Sequence, residues 1–438
     1  MVQTAVEIAA SVRAGDLDPV QVTKDALDRI AASDGVVGAF RRVRASEALA
    51  EAAEVAARPD LASLPLAGVP VAVKDVTEAT GEFASWGSLA GPSTPFTEDG
   101  EIVRRLRAAG AVIVGLTRVP ELCIWPVSDT PDGVARNPRN PAYASGGSSG
   151  GSASAVAAGL VPIAHGTDGL GSIRLPAAMC GLVGLKPGAD LLGSEGWFGM
   201  SVHGPLATTV ADAALLISVL ADEPSLAVVS APSPVRIALS TKALVPVPRE
   251  LAAAVSSAGS LLSAAGHTVT SAEPQVALST MLGVAARWCA GPASQAGDFD
   301  FASFQRRTRM HVRLGRWFIR AGLIRTSTRD RWVARAEEFF ASHDVLVTPT
   351  AGLWPMKAGP WHRRSWLSNV LPSARIGAFT GVWNLAGYPA LSVPIGRHPE
   401  TGLPTCVQLV ASPGRESLLL GLGSQLESAN PWPRTTDS

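Results

Sequence analysis

Cysteine is scarce in this chain, and no two cysteines lie close together. The 438 residues contain four, with no CxxC pair and no histidine at a metal-ligand spacing: Cys123, Cys180, Cys289 and Cys406. This pattern argues against a disulfide framework and against a zinc site. We therefore expect reduced, mostly buried thiols, no bound metal and a cytoplasmic protein.

Long apolar runs and blocks of positive charge are also missing. No run reaches the roughly eighteen apolar residues of a membrane span, and residues 1–10 do not have the pattern of a secretory signal. The 37 basic residues are balanced by 37 acidic ones, without the Lys/Arg clusters that bind nucleic acid phosphates. We expect neither a membrane nor a nucleic acid as a partner.

Hydrophobic residues make up 47% of the chain, and apolar strand-like segments alternate with amphipathic helical ones. Helices are predicted from Asp18-Pro19 onward and over about 44–57, 99–109, 210–220 and 249–265, and strands over 69–73, 111–115, 236–239, 344–348, 391–394 and 406–410. This alternation predicts an α/β fold with a large, mostly parallel mixed β-sheet covered by helices on both faces.

We expect a single domain over residues 1–438. Its N-terminal helices occupy 1–60, its catalytic core 65–225 and a variable substrate-side region 280–370, which is irregular and rich in Arg and Trp. The Pro- and Ser-rich segment 223–234 is interpreted as a surface connection, because strands and helices alternate again directly after it.

Two glycine-rich segments each carry a serine. Residues 145–152 read Ser-Gly-Gly-Ser-Ser-Gly-Gly-Ser, and residues 171–176 read Gly-Ser-Ile-Arg-Leu-Pro. The first segment could be a flexible linker, but an apolar, helix-forming run over 153–160 follows it at once. Together with Lys74 at the end of Val-Ala-Val-Lys, the pattern indicates a Ser-Ser-Lys hydrolase.

The chemistry of such a site makes a demand on the lysine. A serine hydroxyl is a poor nucleophile and loses its proton to a base as it attacks. A lysine serves as that base only when its amine is neutral, and burial lowers a lysine pKa by about 3 to 5 units. Lys74 follows the apolar run Val71-Ala-Val73, so the end of a buried strand supplies this environment.

Other interpretations of the glycine-rich segment fit less well. Residues 146–150 match the G-x-S-x-G elbow of α/β-hydrolases, which requires a strand before the serine. The preceding Asn137-Pro-Arg-Asn-Pro141 is incompatible with a central strand. The segment also lacks the Gly-Lys-Ser/Thr ending of a phosphate-binding P-loop.

The chain resembles an amidase signature family enzyme over almost its full length. The resemblance rests on ordered fragments at 68–75, 110–115, 137–141, 146–152, 166–168, 171–174, 176–178, 180–187, 204–205, 210–216 and 384–390. It implies that Ser172 is the nucleophile that forms an acyl-enzyme, that Ser148 is a bridging serine after a cis peptide at Gly147, and that Lys74 is the base. The interval of 24 residues between the two serines is the one the family pattern requires.

The resemblance also assigns supporting roles. The backbone N–H groups of Gly169, Leu170, Gly171 and Ser172 would form an oxyanion hole. From their position beside the nucleophile, we expect Asp168 and Arg174 to pair and hold the loop, with two separate surface charges as the alternative. Ser149 and Thr167 are predicted either to hydrogen-bond the lysine or the bridging serine, or to be plain turn residues. Leu170 departs from the family pattern of two glycines before the nucleophile, so it either strains the hole or narrows the acyl pocket.

The resemblance implies an amidohydrolase of a small-molecule, non-peptide linear amide, without a cofactor and with a homodimer as an open alternative. Two other functions remain open: a glutaminase subunit of an amidotransferase, and an acyltransferase or catalytically altered relative. Tryptophans between 354 and 383 suggest an apolar or aromatic substrate group, and Trp125 and Trp383 are the predicted pocket residues.

Overall fold

The computed structural model describes residues 3–194 and 196–436. Its strands are β1 Phe40–Val43, β2 Pro70–Lys74, β3 Val112–Thr117, β4 Asp129–Thr130, β5 Gly133–Val134, β6 Ile163–Asp168, β7 Val183–Lys186, β8 Val202–Ala207, β9 Arg236–Leu239, β10 Thr268–Ser271, β11 Val345–Pro349, β12 Ala390–Arg397 and β13 Pro404–Ala411. Its α-helices are α1 Ala5–Ala14, α2 Pro19–Val37, α3 Ala45–Ala56, α4 Glu101–Ala108, α5 Gly150–Ala157, α6 Arg174–Cys180, α7 Ala189–Leu192, α8 Val210–Ala221, α9 Arg249–Ala264, α10 Leu278–Gln295, α11 Arg306–Arg320, α12 Thr326–Ser342, α13 Trp366–Ile376, α14 Gly381–Ala386 and α15 Glu416–Ala429.

One large mixed sheet carries the fold, as predicted. Within the described residues it has eleven strands in the order β1-β3-β2-β6-β8-β7-β12-β13-β11-β9-β10, while β4 and β5 form a separate hairpin. Parallel pairing joins β3, β2 and β6 on one side and β11, β9 and β10 on the other. The central strands from β8 to β13 pair antiparallel, a detail that the alternation of helices and strands does not reveal.

Helices cover both faces of the sheet, which is why its strands are apolar at consecutive positions. One face packs on α1, α4, α8, α9 and α15 through residues such as Val71, Val73 and Ile113. The other face packs on α3, α5 and α6, and farther along on α10, α12 and α14. Neighbouring strand residues alternate between these layers, since side chains of a strand point to opposite faces.

Local signals set the helix boundaries. Helix α2 begins after Asp18, whose carboxylate accepts hydrogen bonds from the Val20 and Gln21 N–H groups, and Pro19 occupies its first turn. It ends at Gly38, which has a φ of 63°. One face of this helix packs inward, since Val22, Ala26 and Ile30 are buried.

The predicted strands and helices are otherwise confirmed within one to three residues at their ends. All four cysteines are buried and free, as expected. Among the helices of the described residues, none combines the length and hydrophobicity needed to cross a membrane.

Candidate active site

Lys74 is the last residue of β2, and its side chain is completely buried. It points to the same face of the sheet as Ala72, which packs in the cluster that contains α5. Its Nζ lies 2.7 Å from Ser148 Oγ and 2.7 Å from Thr167 Oγ1. Burial lowers the pKa of Lys74, because the ammonium form loses its water, and the neighbouring Cys123 and Asp168 only partly oppose this effect.

Ser148 lies in the glycine-rich loop before α5 and is only 2% exposed. The peptide bond between Gly147 and Ser148 is cis, as the resemblance implied. Glycine is required at 147, because a Cβ there would lie 2.4 Å from the Trp125 carbonyl oxygen. The loop can therefore pack directly on the backbone of residues 125–126, which brings the Ser148 hydroxyl to the end of β2.

Ser172 lies in the turn between β6 and α6 and is partly exposed. Its backbone carbonyl accepts a hydrogen bond from Ser149 N–H at 3.2 Å, so the two serine loops are joined directly. No hydrogen bond between the hydroxyls of Ser148 and Ser172 occurs in the part of the chain that the structure describes. The two side chains instead line the same cavity.

Asp168 and Arg174 form a fully buried ion pair that organises this turn. Arg174 donates through two guanidinium nitrogens, each at 2.9 Å, to the two oxygens of Asp168. The same carboxylate accepts the N–H groups of Gly171 at 2.6 Å, Ile173 at 3.2 Å and Arg174 at 3.3 Å. Burial alone would raise the pKa of Asp168, but the charge and side-chain hydrogen bonds of Arg174, with a further hydrogen bond from Asn384, hold it well below its usual value.

The ion pair is itself held by the C-terminal part of the chain. Arg174 also donates to the side-chain oxygens of Gln408 on β13 and Asn384 on α14. Asn384 in turn donates to the Asp168 carboxylate at 2.9 Å and to the Asp168 carbonyl at 2.8 Å. Residues more than 200 positions away in sequence therefore fix the turn that carries Ser172.

The predicted oxyanion hole needs one correction. The Gly171 N–H donates to Asp168 and is unavailable to a ligand, which leaves Gly169, Leu170 and Ser172 as the candidate donors. Gly171 instead serves the turn, since its φ of 118° is in the region that favours glycine. Leu170 is not among the described residues with positive φ, so its side chain causes no backbone strain.

The other two predicted supporting residues, Ser149 and Thr167, have different contacts. Thr167 contacts Lys74 through its hydroxyl, as expected. The Ser149 hydroxyl bonds the backbone of Thr167 instead of the lysine, donating to its carbonyl and accepting from its N–H, each at 3.2 Å. Ser149 therefore joins the loop before α5 to β6, while Thr167 contacts the buried amine directly.

Two cavities meet at Ser172, and both are also lined by Cys123 and Trp197. The first, of about 390 Å³, is the more polar of the two: Ser148, Thr77, Glu78, Thr167, Ser201, His203 and Gln295 line it together with the apolar Val76, Trp86 and Ile102. The second, of about 250 Å³, is largely apolar and includes Ile124, Trp125, Leu170, Met281, Val284, Trp288 and Val370. The scissile group of a bound substrate would lie where they join.

The two predicted pocket tryptophans lie in different surroundings. Trp125 lines the apolar cavity, and its buried indole N–H has no acceptor among the described residues. Trp383 lines neither of the two cavities. It is 2% exposed and packs against Trp332 and Phe340 in the core between α12 and α14, because its position on α14 faces the sheet.

Sequence reasoning missed several residues around the lysine. The Cys123 thiol lies beside Lys74 and Ser148, and burial raises its pKa. His165 lies two residues before Thr167 on β6 and therefore on the same face; its Nε2 is 2.8 Å from Nδ1 of His203 on β8. Burial lowers the pKa of His165 well below its usual value. Because side chains alternate between the two faces of a strand, the position of His165 two residues before Thr167 could have indicated that both lie on one face.

No group of three or more potential metal ligands occurs among residues 3–194 and 196–436. The groups that line the cavity at Ser172 include the two serines and the backbone of the catalytic turn, with Lys74 behind Ser148. A buried amine next to one hydroxyl, with a second hydroxyl on the same cavity, can remove a proton from a nucleophile without another group.

Comparisons with known proteins agree on one family. The amidase family profile matches residues 21–420. AmiB2 of Mycobacterium tuberculosis, a protein named as an amidase, is 41% identical over 430 residues, which cover 93% of this chain and 91% of AmiB2.

Two solved structures have the same fold over nearly the whole chain. A 6-aminohexanoate cyclic dimer hydrolase is 28% identical with a TM-score of 0.85, covering 98% of this chain and 97% of that one. A peptide amidase from Stenotrophomonas maltophilia is 26% identical with a TM-score of 0.78, and the match covers 100% of this chain and 99% of that one. The chain belongs to the amidase signature family, and it is an amidase, a hydrolase that acts on carbon–nitrogen bonds.

Proposed function

We propose that this amidase cleaves a linear carboxylic amide through an acyl-enzyme on Ser172, with Ser148 as the relay and Lys74 as the base. The observation that carries the proposal is the contact of 2.7 Å between Lys74 Nζ and Ser148 Oγ, on a cavity that Ser172 also lines. Burial of Lys74 supports it, since a lowered pKa provides the neutral amine that a base requires.

The first half-reaction forms the acyl-enzyme. Ser172 Oγ bonds to the carbonyl carbon as its proton passes to Ser148 Oγ, and the Ser148 proton passes to Lys74 Nζ. The N–H groups of Gly169, Leu170 and Ser172 receive the developing oxyanion. The carbon–nitrogen bond then breaks, and the proton returns from Lys74 through Ser148 to the leaving nitrogen, so that the amine departs neutral.

The second half-reaction repeats these transfers with water. The water oxygen bonds to the acyl carbon while its proton passes through Ser148 to Lys74, and the bond to Ser172 Oγ then breaks as the serine recovers a proton. Every proton that the lysine takes is given back, so the cycle consumes one amide and one water. The products are a carboxylic acid and an amine.

The test is covalent labelling with a fluorophosphonate, followed by intact mass and peptide mapping. We expect one adduct, on Ser172, and no adduct in Ser172→Ala. Ser201→Ala is the matched control, because Ser201 lines the same cavity and has no proposed role. An adduct on another serine would refute the nucleophile assignment.

A second measurement distinguishes hydrolysis from acyl transfer. Steady-state product analysis with and without hydroxylamine reports the fate of the acyl-enzyme. We expect the carboxylic acid as the main product in buffer. A hydroxamate formed in the presence of hydroxylamine, with no acid in its absence, would indicate the acyltransferase alternative.

A further inference from the structure

The two cavities that meet at Ser172 differ in chemical character and therefore distinguish the two halves of an amide. The larger cavity, called the polar cavity below, has hydroxyl, carboxylate, imidazole and amide groups on its wall, including Glu78, His203 and Gln295, beside a few apolar side chains such as Ile102. The smaller cavity is lined by aromatic and aliphatic side chains, with Ser172, Cys123 and Ser373 as its few polar side chains. An amide bound across Ser172 would place one half in each.

The proton that the leaving nitrogen needs decides which half of the amide lies in which cavity. The group that delivers this proton has to lie within hydrogen-bond reach of the nitrogen. In the proposed mechanism that group is Ser148, which lines the polar cavity and does not line the apolar one. The amine half therefore lies in the polar cavity, and the acyl half lies in the apolar cavity on the other side of Ser172.

We propose that the substrates are amides of apolar carboxylic acids, with an aryl or alkyl acyl group in the apolar cavity and a small or polar amine in the other. This inference rests on the proposed function, since it uses the role of Ser148. It goes further by assigning a polarity to each side of the scissile bond.

Two helices and the catalytic turn build the acyl cavity. Helix α10 contributes Met281, Val284, Ala285 and Trp288, whose spacing places them along one face of the helix. Helix α13 contributes Val370 and Ala374 from across the cavity. Both helices lie within the region 280–370 or at its edges, the part of the chain for which we predicted a substrate-side role.

Leu170 joins the catalytic turn to this wall. A Cβ on Gly381 would lie 3.0 Å from Leu170 Cδ2 and 2.8 Å from Val284 Cγ1, so the two side chains approach the same point on α14. The Thr380 hydroxyl donates to the Leu170 carbonyl at 2.5 Å and fixes the residue there. The leucine that replaces the family's glycine therefore forms part of the acyl cavity instead of straining the backbone.

The test uses primary amides, whose amine half is ammonia in every case: acetamide, butyramide, hexanamide and phenylacetamide. Ammonia release measures hydrolysis directly. Each methylene transferred from water to an apolar cavity is expected to raise kcat/KM about threefold to fourfold. Extending the amine half instead, as in N-butylacetamide, is expected to give no such increase.

Leu170→Gly is expected to lower the ratio of kcat/KM for hexanamide to that for acetamide by about tenfold, because the side chain contacts only the larger acyl group. Leu278→Ala is the matched control, since Leu278 is 69% exposed on α10 and does not line the cavity. The ratio is used because any change in the oxyanion hole affects both substrates equally.

The outcomes separate the two proposals. The assignment of the cavities would be overturned if kcat/KM did not rise with acyl chain length, or if it rose with the length of the amine chain instead. Either result would leave the Ser172 mechanism intact. An unchanged ratio in Leu170→Gly would overturn its role in the acyl cavity. No ammonia from any of the amides, combined with no fluorophosphonate adduct on Ser172, would overturn the proposed function and this inference with it.

Discussion

Asp168→Asn should be among the most destabilising single substitutions in this protein. Asp168 and Arg174 are both completely buried, and the carboxylate accepts hydrogen bonds from three backbone N–H groups as well as from Arg174 and Asn384. Asparagine removes the charge and places an NH₂ group where an acceptor is needed. Leaving a buried charge without its partner costs about 3–5 kcal/mol.

The measurement is urea unfolding followed by tryptophan fluorescence, with circular dichroism as a second probe. Asp344→Asn is the control, because Asp344 pairs with Arg236 at the surface, where the Arg236 side chain is 50% exposed. Exposed pairs contribute about 1 kcal/mol or less. If Asp168→Asn lowers the free energy of unfolding by an amount within about 1 kcal/mol of the control's, the view that this pair organises the turn is refuted.

The pH dependence of this effect has a defined sign. The folded-state pKa of Asp168 is held below its ordinary value of about 3.9, so the ion pair contributes fully above that pH. The contribution declines only as the pH falls toward the lower folded-state pKa. The stability difference between the two proteins is therefore expected to persist undiminished at about pH 5, and a loss of it between about pH 6 and 5 would contradict the assignment. At higher pH the difference also reflects the buried Lys186, because the Asp168 charge raises the pKa of that lysine, which is about 7.

Three further predictions concern catalysis and the core. The kcat/KM should rise with pH through the lowered pKa of Lys74, because only the neutral amine accepts a proton, and a fall over this range would contradict its role. Lys74→Met and Ser148→Ala should each lower kcat/KM by about 10³-fold or more, with the double variant no worse than the more damaging single one. Trp383→Ala should lower the free energy of unfolding by about 3–5 kcal/mol in urea titrations and change KM less than about threefold, whereas a large KM change would return Trp383 to the pocket.

The sequence predicted the parts of this site that depend on local pattern. The apolar run before Lys74 predicted a buried strand end, and that burial lowers the pKa of the lysine. The glycine-rich pattern around Ser148 indicated a catalytic loop, and in the fold this loop lies directly against the Trp125 carbonyl at Gly147. In each case the signal and its structural cause lie within a few residues of each other.

The sequence patterns did not predict contacts between segments that are distant along the chain. Trp383 and Trp125 are both nearly fully buried, but of the two only Trp125 lines a cavity at Ser172, and the difference depends on which helices pack against each ring. Cys123 shows the same limit. Nothing in its neighbourhood along the chain places its thiol beside Lys74, because the fold brings the end of β2 and residue 123 together.

The Gly171 correction links the stability of the catalytic turn to its chemistry. A four-residue turn has few backbone donors, and the Gly171 N–H bonds to Asp168, which leaves the N–H groups of Gly169, Leu170 and Ser172 as candidate donors to a ligand. Loss of the Asp168 carboxylate would free that N–H and also release Arg174 from its partner. A variant that is stabilised elsewhere and carries Asp168→Asn should therefore still have a lowered kcat, because the oxyanion donors lose the fixed orientation on which their electrostatic contribution depends.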